Sequence, residues 1–277
     1  MLLGVIFGIS ALVAAVICGV SGAFSGLAWL WLLPVSFLGS VVLLALAGFA
    51  FLLILCKRVD QSVPQEDDDP LYRKVTDLYL AAILPVLRIR TIEKGMEKVP
   101  GSGRFLLVCN HTDDSDPIIL LHSFAKYQLA FISKRENSSM FVIGPMMHKL
   151  QCQLINREND REALKTILKC IQILKEDKAS VAVFPEGGIH DDYKFHHFRP
   201  GVFKIAQKAK VPIVVCTLKN TTVVIPNIKR LRGSTVELNV LDVIQPEEFA
   251  EITTVELADR IYKMMAADLG PGLVAVE

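Results

Sequence analysis

The sequence predicts an α/β domain with a mostly parallel sheet, carried behind an N-terminal membrane helical hairpin. Three observations predict it. The chain has 277 residues and no charged side chain before Lys57, so all 30 Lys and Arg and all 29 Asp and Glu lie from that residue onward. From Arg88 onward, short β-rich runs alternate with helical segments, the pattern of parallel strands joined by crossover helices. Two polar motifs stand directly after apolar strand-like runs, where open α/β sheets place their active sites.

Residues 1–20 and 27–56 are each long enough to cross a bilayer core, which takes about 20 apolar residues. Gly19, Ser21, Gly22, Ser25 and Gly26 form a small turn between them. Gly4/Gly8 and Gly22/Gly26 have the small-xxx-small spacing that lets helices approach closely. A cleaved signal peptide fits poorly, because no basic residue precedes the first run and a second run follows. Lys57 and Arg58 come directly after the second run and place the following domain on the cytoplasmic side. A hairpin dipping into one leaflet gives the same orientation.

The 52% hydrophobic fraction is concentrated in this front end, and the net charge of +1 leaves no electrostatic footprint for nucleic acid. Six cysteines show no CxxC pair, which fits small core residues in a reducing compartment. Residues 57–70, with Gln65-Glu66-Asp67-Asp68-Asp69-Pro70, read as a solvated acidic linker, and 71–277 as the remaining domain. Leu71 to Leu87 reads as an amphipathic helix, lying on the membrane surface or packed on the core. Strands are expected at 88–93, 104–109, 128–133, 152–155, 180–184, 211–218 and 234–244. Helices are expected near 117–126, 138–150, 160–176, 201–209 and 254–267, the last opened by a Thr253-x-x-Glu256 capping box.

Asn110-His111-Thr112-Asp113-Asp114-Ser115-Asp116-Pro117 follows the apolar run 104–109. A turn leading into a helix can bring His111 and Asp116 side by side. The carboxylate then accepts one ring N–H and leaves the other nitrogen free as a base. Two other readings stay open: Asp116 as a plain helix N-cap, or the aspartates with His111 as a metal cluster. Phe184-Pro185-Glu186-Gly187-Gly188 follows the run 180–183, with glycines that allow a left-handed turn or a close backbone approach. Arg157 ends the run at 152–155, and its fork geometry suits phosphate. Lys134 ends the run at 128–133. Polar residues at the ends of four strands make one expected cleft.

These blocks, with Val211-Pro212-Ile213-Val214, fall in the order seen in the 1-acyl-glycerol-3-phosphate acyltransferase family, which residues 88–230 resemble. Phe198-Arg199-Pro200-Gly201 looks like the family's recurring Phe-Lys-x-Gly segment. The resemblance implies a membrane enzyme that moves a fatty acyl group from acyl-CoA or acyl carrier protein to the hydroxyl of lysophosphatidic acid. It implies His111 as base, Asp116 as its orienting partner, Lys134 near the reaction centre, and Arg157, Glu186, Gly187 and Arg199 toward the acceptor. It implies no cofactor and no metal beyond the thioester co-substrate. The partners are then a bilayer, a lysophospholipid and the acyl donor. The chain departs from the pattern at Gly188-Ile189-His190, where Thr, Arg and Ser are usual, at Asp113, and at Val215. Another lysolipid acceptor, a non-catalytic lipid-binding module and a metal-dependent lipid hydrolase are the alternatives.

Overall fold

In the computed structural model, which describes residues 2–156 and 159–275, the chain divides into two units, Met1–Gln61 and Ser62–Glu277. The first unit holds helices α1 (Leu2–Val20) and α2 (Trp29–Lys57), both long and apolar enough to cross a membrane. Their contact is not made through Gly4 and Gly8, which are exposed. The buried stripe on α1 is Ser10, Ala14 and Cys18, four residues apart. The Ser40 hydroxyl of α2 donates to the Ser10 carbonyl at 3.5 Å. Small side chains at this spacing let two helix backbones come close, but on a different face of α1 from the expected Gly4 and Gly8.

The second unit is built on a 7-stranded sheet. Its strands are β1 (Ile89–Lys94), β2 (Leu106–Val108), β3 (Leu129–Lys134), β4 (Gln153–Ile155), β5 (Ser180–Val183), β6 (Ile213–Lys219) and β7 (Ser234–Ile244). Their order across the sheet is β1-β7-β6-β2-β5-β3-β4. Strands β2 to β6 run parallel, while β7 pairs antiparallel with β6 and β1 runs with β7. The parallel expectation therefore holds for the core, with a reversed pair at one edge.

Successive side chains of a strand face opposite ways. Leu106, Val108, Val181, Val183, Ile213 and Val215 accordingly pack under α6 (Asp160–Lys175), α7 (Lys204–Ala209) and α9 (Thr254–Leu269). Leu107, Ala182 and Val214 pack on the other face with α3 (Pro70–Val86) and α4 (Asp116–Ser123). Burying each large apolar side chain contributes about 1.5–3 kcal/mol, which makes this two-faced core the main stabilising element.

Two expectations change. The helix expected over 138–150 forms only at α5 (Ile143–Lys149), preceded by a 3₁₀ turn at Arg135–Ser139. A side chain on Gly144 would collide with the Ser138 carbonyl, so the chain folds tightly back on itself there. A short helix α8 (Val224–Lys229) follows β6 where none was expected.

The acidic run before α3 is not free chain. Asp69 caps α3, accepting from the Leu71 and Tyr72 amides at 3.1 and 3.4 Å. Asp68 meets Arg73 through two bonds of 2.7 and 3.1 Å, and the two side chains are only 4% and 8% exposed. Arg73 also donates to the Leu129 carbonyl of β3 at 3.0 Å. One face of α3 is buried through Tyr72, Val75 and Leu84, while Leu71, Ile83 and Val86 are exposed. Removing one partner of a buried ion pair strands the other, so Arg73→Ala is expected to cost about 3–5 kcal/mol. Urea unfolding of the detergent-solubilised chain measures this, and a loss within about 0.5 kcal/mol, the surface-substitution range, contradicts it.

Candidate active site

The parallel strands bring their carboxyl ends to one edge, and β2 lies between β5 and β6 in that group. Asn110 leaves β2 and is held at once. Its side-chain amide donates to the Leu218 carbonyl at 2.9 Å, and its oxygen accepts from the Leu218 N–H at 2.7 Å. This extends the β2–β6 pairing by one side chain and fixes where residue 111 begins.

His111 and Asp116 come together as the spacing predicts. His111 Nδ1 lies 2.9 Å from Asp116 Oδ2. The same oxygen accepts from the Thr112 and Asp113 amides at 2.8 and 2.9 Å. The Asp116 side chain is fully buried and that of His111 is 16% exposed. Asp116 opens α4, with Pro117 in the first turn, but its carboxylate reaches back to the loop amides. The N-cap reading is thus replaced by a carboxylate that folds the 111–116 turn around itself. Among the described residues, His111 Nε2 makes no hydrogen bond, and no three His, Cys, Asp or Glu are grouped to hold a metal ion.

The ring plane is set by aromatic packing. His111 stacks on Phe184 with centroids 4.1 Å apart and planes 16° apart, and Phe184 stacks on Phe131 at 5.7 Å. Phe184 follows β5 and Phe131 lies in β3, so two parallel strands hold the base from below. Asp113 turns inward to accept the Ser115 amide at 2.9 Å, and burial raises its carboxyl above the usual range.

Glu186 occupies a different place from that expected of an acceptor ligand. Its Oε1 accepts from the His111 N–H at 2.7 Å and its Oε2 from the His196 N–H at 2.9 Å. At 4% exposure the carboxylate is a joint between two loops, with both oxygens already engaged. Gly187 follows at φ 91, a backbone region that favours glycine. A Cβ there would lie 2.7 Å from Arg199 Nε, so only glycine lets the arginine lie across the turn. Arg199 is held to this turn by its own N–H, which donates to the Pro185 carbonyl at 2.8 Å. Lys134 closes β3 on the same edge and is exposed. Arg157 lies outside the described residues.

The residues that sequence reasoning did not single out are Asn110, Phe131, Phe184 and His196. Phe184 was visible as the residue after a strand, but its stacking partner comes from the loop of another strand. The part played by His196 is a backbone bond, which no side-chain pattern signals.

Burial pushes the Glu186 carboxyl up to about 8, against the two amide bonds that favour its charge and with the Asp116 and Asp192 charges adding to the rise. The folded protein therefore holds a proton that the unfolded chain releases. This contribution to stability is fully present below the ordinary glutamate range and is lost as pH rises through about 8. Thermal melts from about pH 6 to about pH 9 should show the wild type losing stability across that step. Glu186→Gln should lack the step and carry a constant loss of about 1–3 kcal/mol, because its NH₂ faces a backbone N–H. A wild-type profile with no such step contradicts the assignment.

Known proteins resemble the part of the chain that carries this site. Residues 90–219 match the sequence profile of the family described as Acyltransferase. A 1-acyl-sn-glycerol-3-phosphate acyltransferase of Chlamydomonas reinhardtii is 32% identical over 197 residues, covering 70% of this chain and 57% of that protein. A probable 1-acyl-sn-glycerol-3-phosphate acyltransferase of Mycoplasma pneumoniae is 26% identical over 215 residues, covering 73% of this chain and 80% of that one. The chain thus spans little more than half of the algal relative and most of the bacterial one. The crystal structure of the LPA acyltransferase PlsC from Thermotoga maritima shares the fold, with a TM-score of 0.61 at 20% identity, covering 79% of this chain and 86% of that one. The edge-of-sheet His111–Asp116 pair and the ordered blocks around it thus lie within the segment, residues 90–219, that matches the Acyltransferase family and is similar to the 1-acyl-sn-glycerol-3-phosphate acyltransferases.

Proposed function

We propose that the domain moves a fatty acyl group from acyl-CoA or acyl carrier protein to the free hydroxyl of lysophosphatidic acid, giving phosphatidic acid. The observation that carries the chemistry is the buried Asp116 oxygen 2.9 Å from His111 Nδ1. An ionised carboxylate there accepts the Nδ1–H and leaves Nε2 bare, the state required of a general base. Nε2 takes the acceptor hydroxyl proton as the oxygen attacks the thioester carbonyl. The tetrahedral intermediate collapses, the C–S bond breaks, and the imidazolium returns the proton to the departing thiolate. No protein nucleophile enters this route. General-base assistance contributes roughly 10²–10⁴-fold.

The names of the relatives support the acceptor assignment, and the basic residues that the sequence motifs supply are consistent with it. Arg157, Lys134 and Arg199 supply positive charge for a phosphate headgroup. The apolar hairpin is the membrane tether, and Lys57 with Arg58 orients the domain to the cytoplasmic side. A membrane-resident lysolipid and a water-soluble thioester then meet at an interface that each can reach.

Turnover assays on purified, detergent-solubilised protein test the reading. His111→Ala is expected to lower kcat by about 10²–10⁴-fold or more while the melting profile persists. Asp116→Asn should lower kcat comparably with little change in donor KM, since the ring loses its orienting acceptor. Arg157→Ala should raise the lysophosphatidic acid KM more than the donor KM. Near-wild-type turnover in His111→Ala contradicts the mechanism, and a wild-type preference for phosphate-free monoacylglycerol contradicts the acceptor.

A further inference from the structure

The loop after Gly187 carries three histidines, at 190, 196 and 197, and two aspartates, at 191 and 192. His197 stacks on Tyr262 at 4.4 Å and belongs to the packing against α9. The other two form a unit of their own. The His190 and His196 rings stack with centroids 3.8 Å apart and planes 20° apart. His196 Nε2 lies 2.8 Å from Asp192 Oδ1, so one imidazole of the pair already has an anionic partner.

This unit hangs on the same carboxylate as the catalytic loop. Glu186 accepts the His196 N–H on one oxygen and the His111 N–H on the other. A single carboxyl group therefore sets the spacing between the stacked pair and the residue proposed as base. Arg199 reaches the same place from the far end of the loop, with Nε lying over the Gly187 turn. Among the described residues, neither the Arg199 guanidinium nor the His190 ring has a hydrogen bond or an ion pair, whereas Asp192 has His196. Arg199 is exposed and His190 half-buried.

We infer that His190, together with the Arg199 guanidinium that lies over the Gly187 turn three residues before it, is the seat of the acceptor's phosphate monoester, an inference that rests on lysophosphatidic acid being the acceptor. A guanidinium offers a planar fork of donors, and a protonated imidazole offers a charged N–H, which together match the oxygens of a phosphate. The protein groups around His190 favour its neutral form. Burial comes first in lowering its pKa; His196 and Arg199 also lower it, against Asp192 and Asp191. A bound dianion reverses that balance, because it supplies the counter-charge that the cation lacks. Headgroup binding is then coupled to proton uptake by His190, so acceptor affinity weakens as pH rises. Affinity through arginine alone would not depend on histidine ionisation.

The test is the KM for lysophosphatidic acid at about pH 6 and about pH 8, the range in which histidine titrates, with the full-length enzyme in mixed micelles. Wild type, His190→Gln and His190→Arg are compared, with donor KM and kcat read alongside. His190→Gln should raise the acceptor KM about tenfold at the lower pH and much less at the higher, for the loss of one charge-assisted bond. His190→Arg should hold the KM low at both values, because its charge does not titrate. Donor KM should stay put and kcat should move less than acceptor KM. The ionisation of the lipid's own phosphate is common to all three proteins and cancels. Equal acceptor KM in wild type and His190→Gln at both values, with lysophosphatidic acid turned over, overturns the seat alone. A wild type that does not acylate lysophosphatidic acid removes the acceptor assignment and the seat with it.

Discussion

A carboxylate that is fully buried yet takes three donors on one oxygen is the constraint on which the site depends. Burying an ionised carboxyl is costly unless hydrogen bonds replace its water. Asp116 Oδ2 answers that demand with the Thr112 and Asp113 amides and His111 Nδ1, while Oδ1 is buried with no hydrogen-bond partner among the described residues. The two amides fix the turn, and the turn fixes the ring. The imidazole is thus placed by a local loop of six residues, with no distant partner needed for the pair itself.

What the rest of the domain adds is the location and rigidity of that loop. Parallel pairing of β2 with β5 and β6 carries residues 110–111 and 184–187 to one edge. Asn110 locks the first to the backbone of β6, and Glu186 ties it to the loop that follows β5. The stack of His111, Phe184 and Phe131 then removes rotation about the ring plane. A base held in this way loses little orientational freedom when the acceptor arrives, which is where much of the advantage of proximity lies.

The parts legible in the sequence were those set by local pattern. The strand runs and most helices could be placed, because the alternation of apolar runs and amphipathic segments is a property of neighbours in the chain. The His111–Asp116 pair was legible for the same reason, being a turn and a helix start. Glu186 was recognisable as a polar residue at a strand end, but its partners are backbone N–H groups of residues 111 and 196, which carry no side-chain signal. The reversal of β7 depended on pairing with β6 across the sheet, and β1 joins it from some 145 residues away, Ile89 opposite Ser234. The acidic run before α3 read as solvated because its burial is decided by Arg73 and a carbonyl of β3. Arg157, prominent in the sequence, lies outside the described residues.

The most direct test of the central claim is the tautomer of the His111 ring, read from ¹⁵N chemical shifts of histidine-labelled enzyme, with the resonance assigned by its loss in His111→Ala. The account predicts that the neutral ring carries its proton on Nδ1, facing Asp116, and leaves Nε2 bare, and that Asp116→Asn disturbs this pattern. A neutral His111 protonated on Nε2 in the wild type would contradict it, since the nitrogen assigned to accept the hydroxyl proton would already hold one.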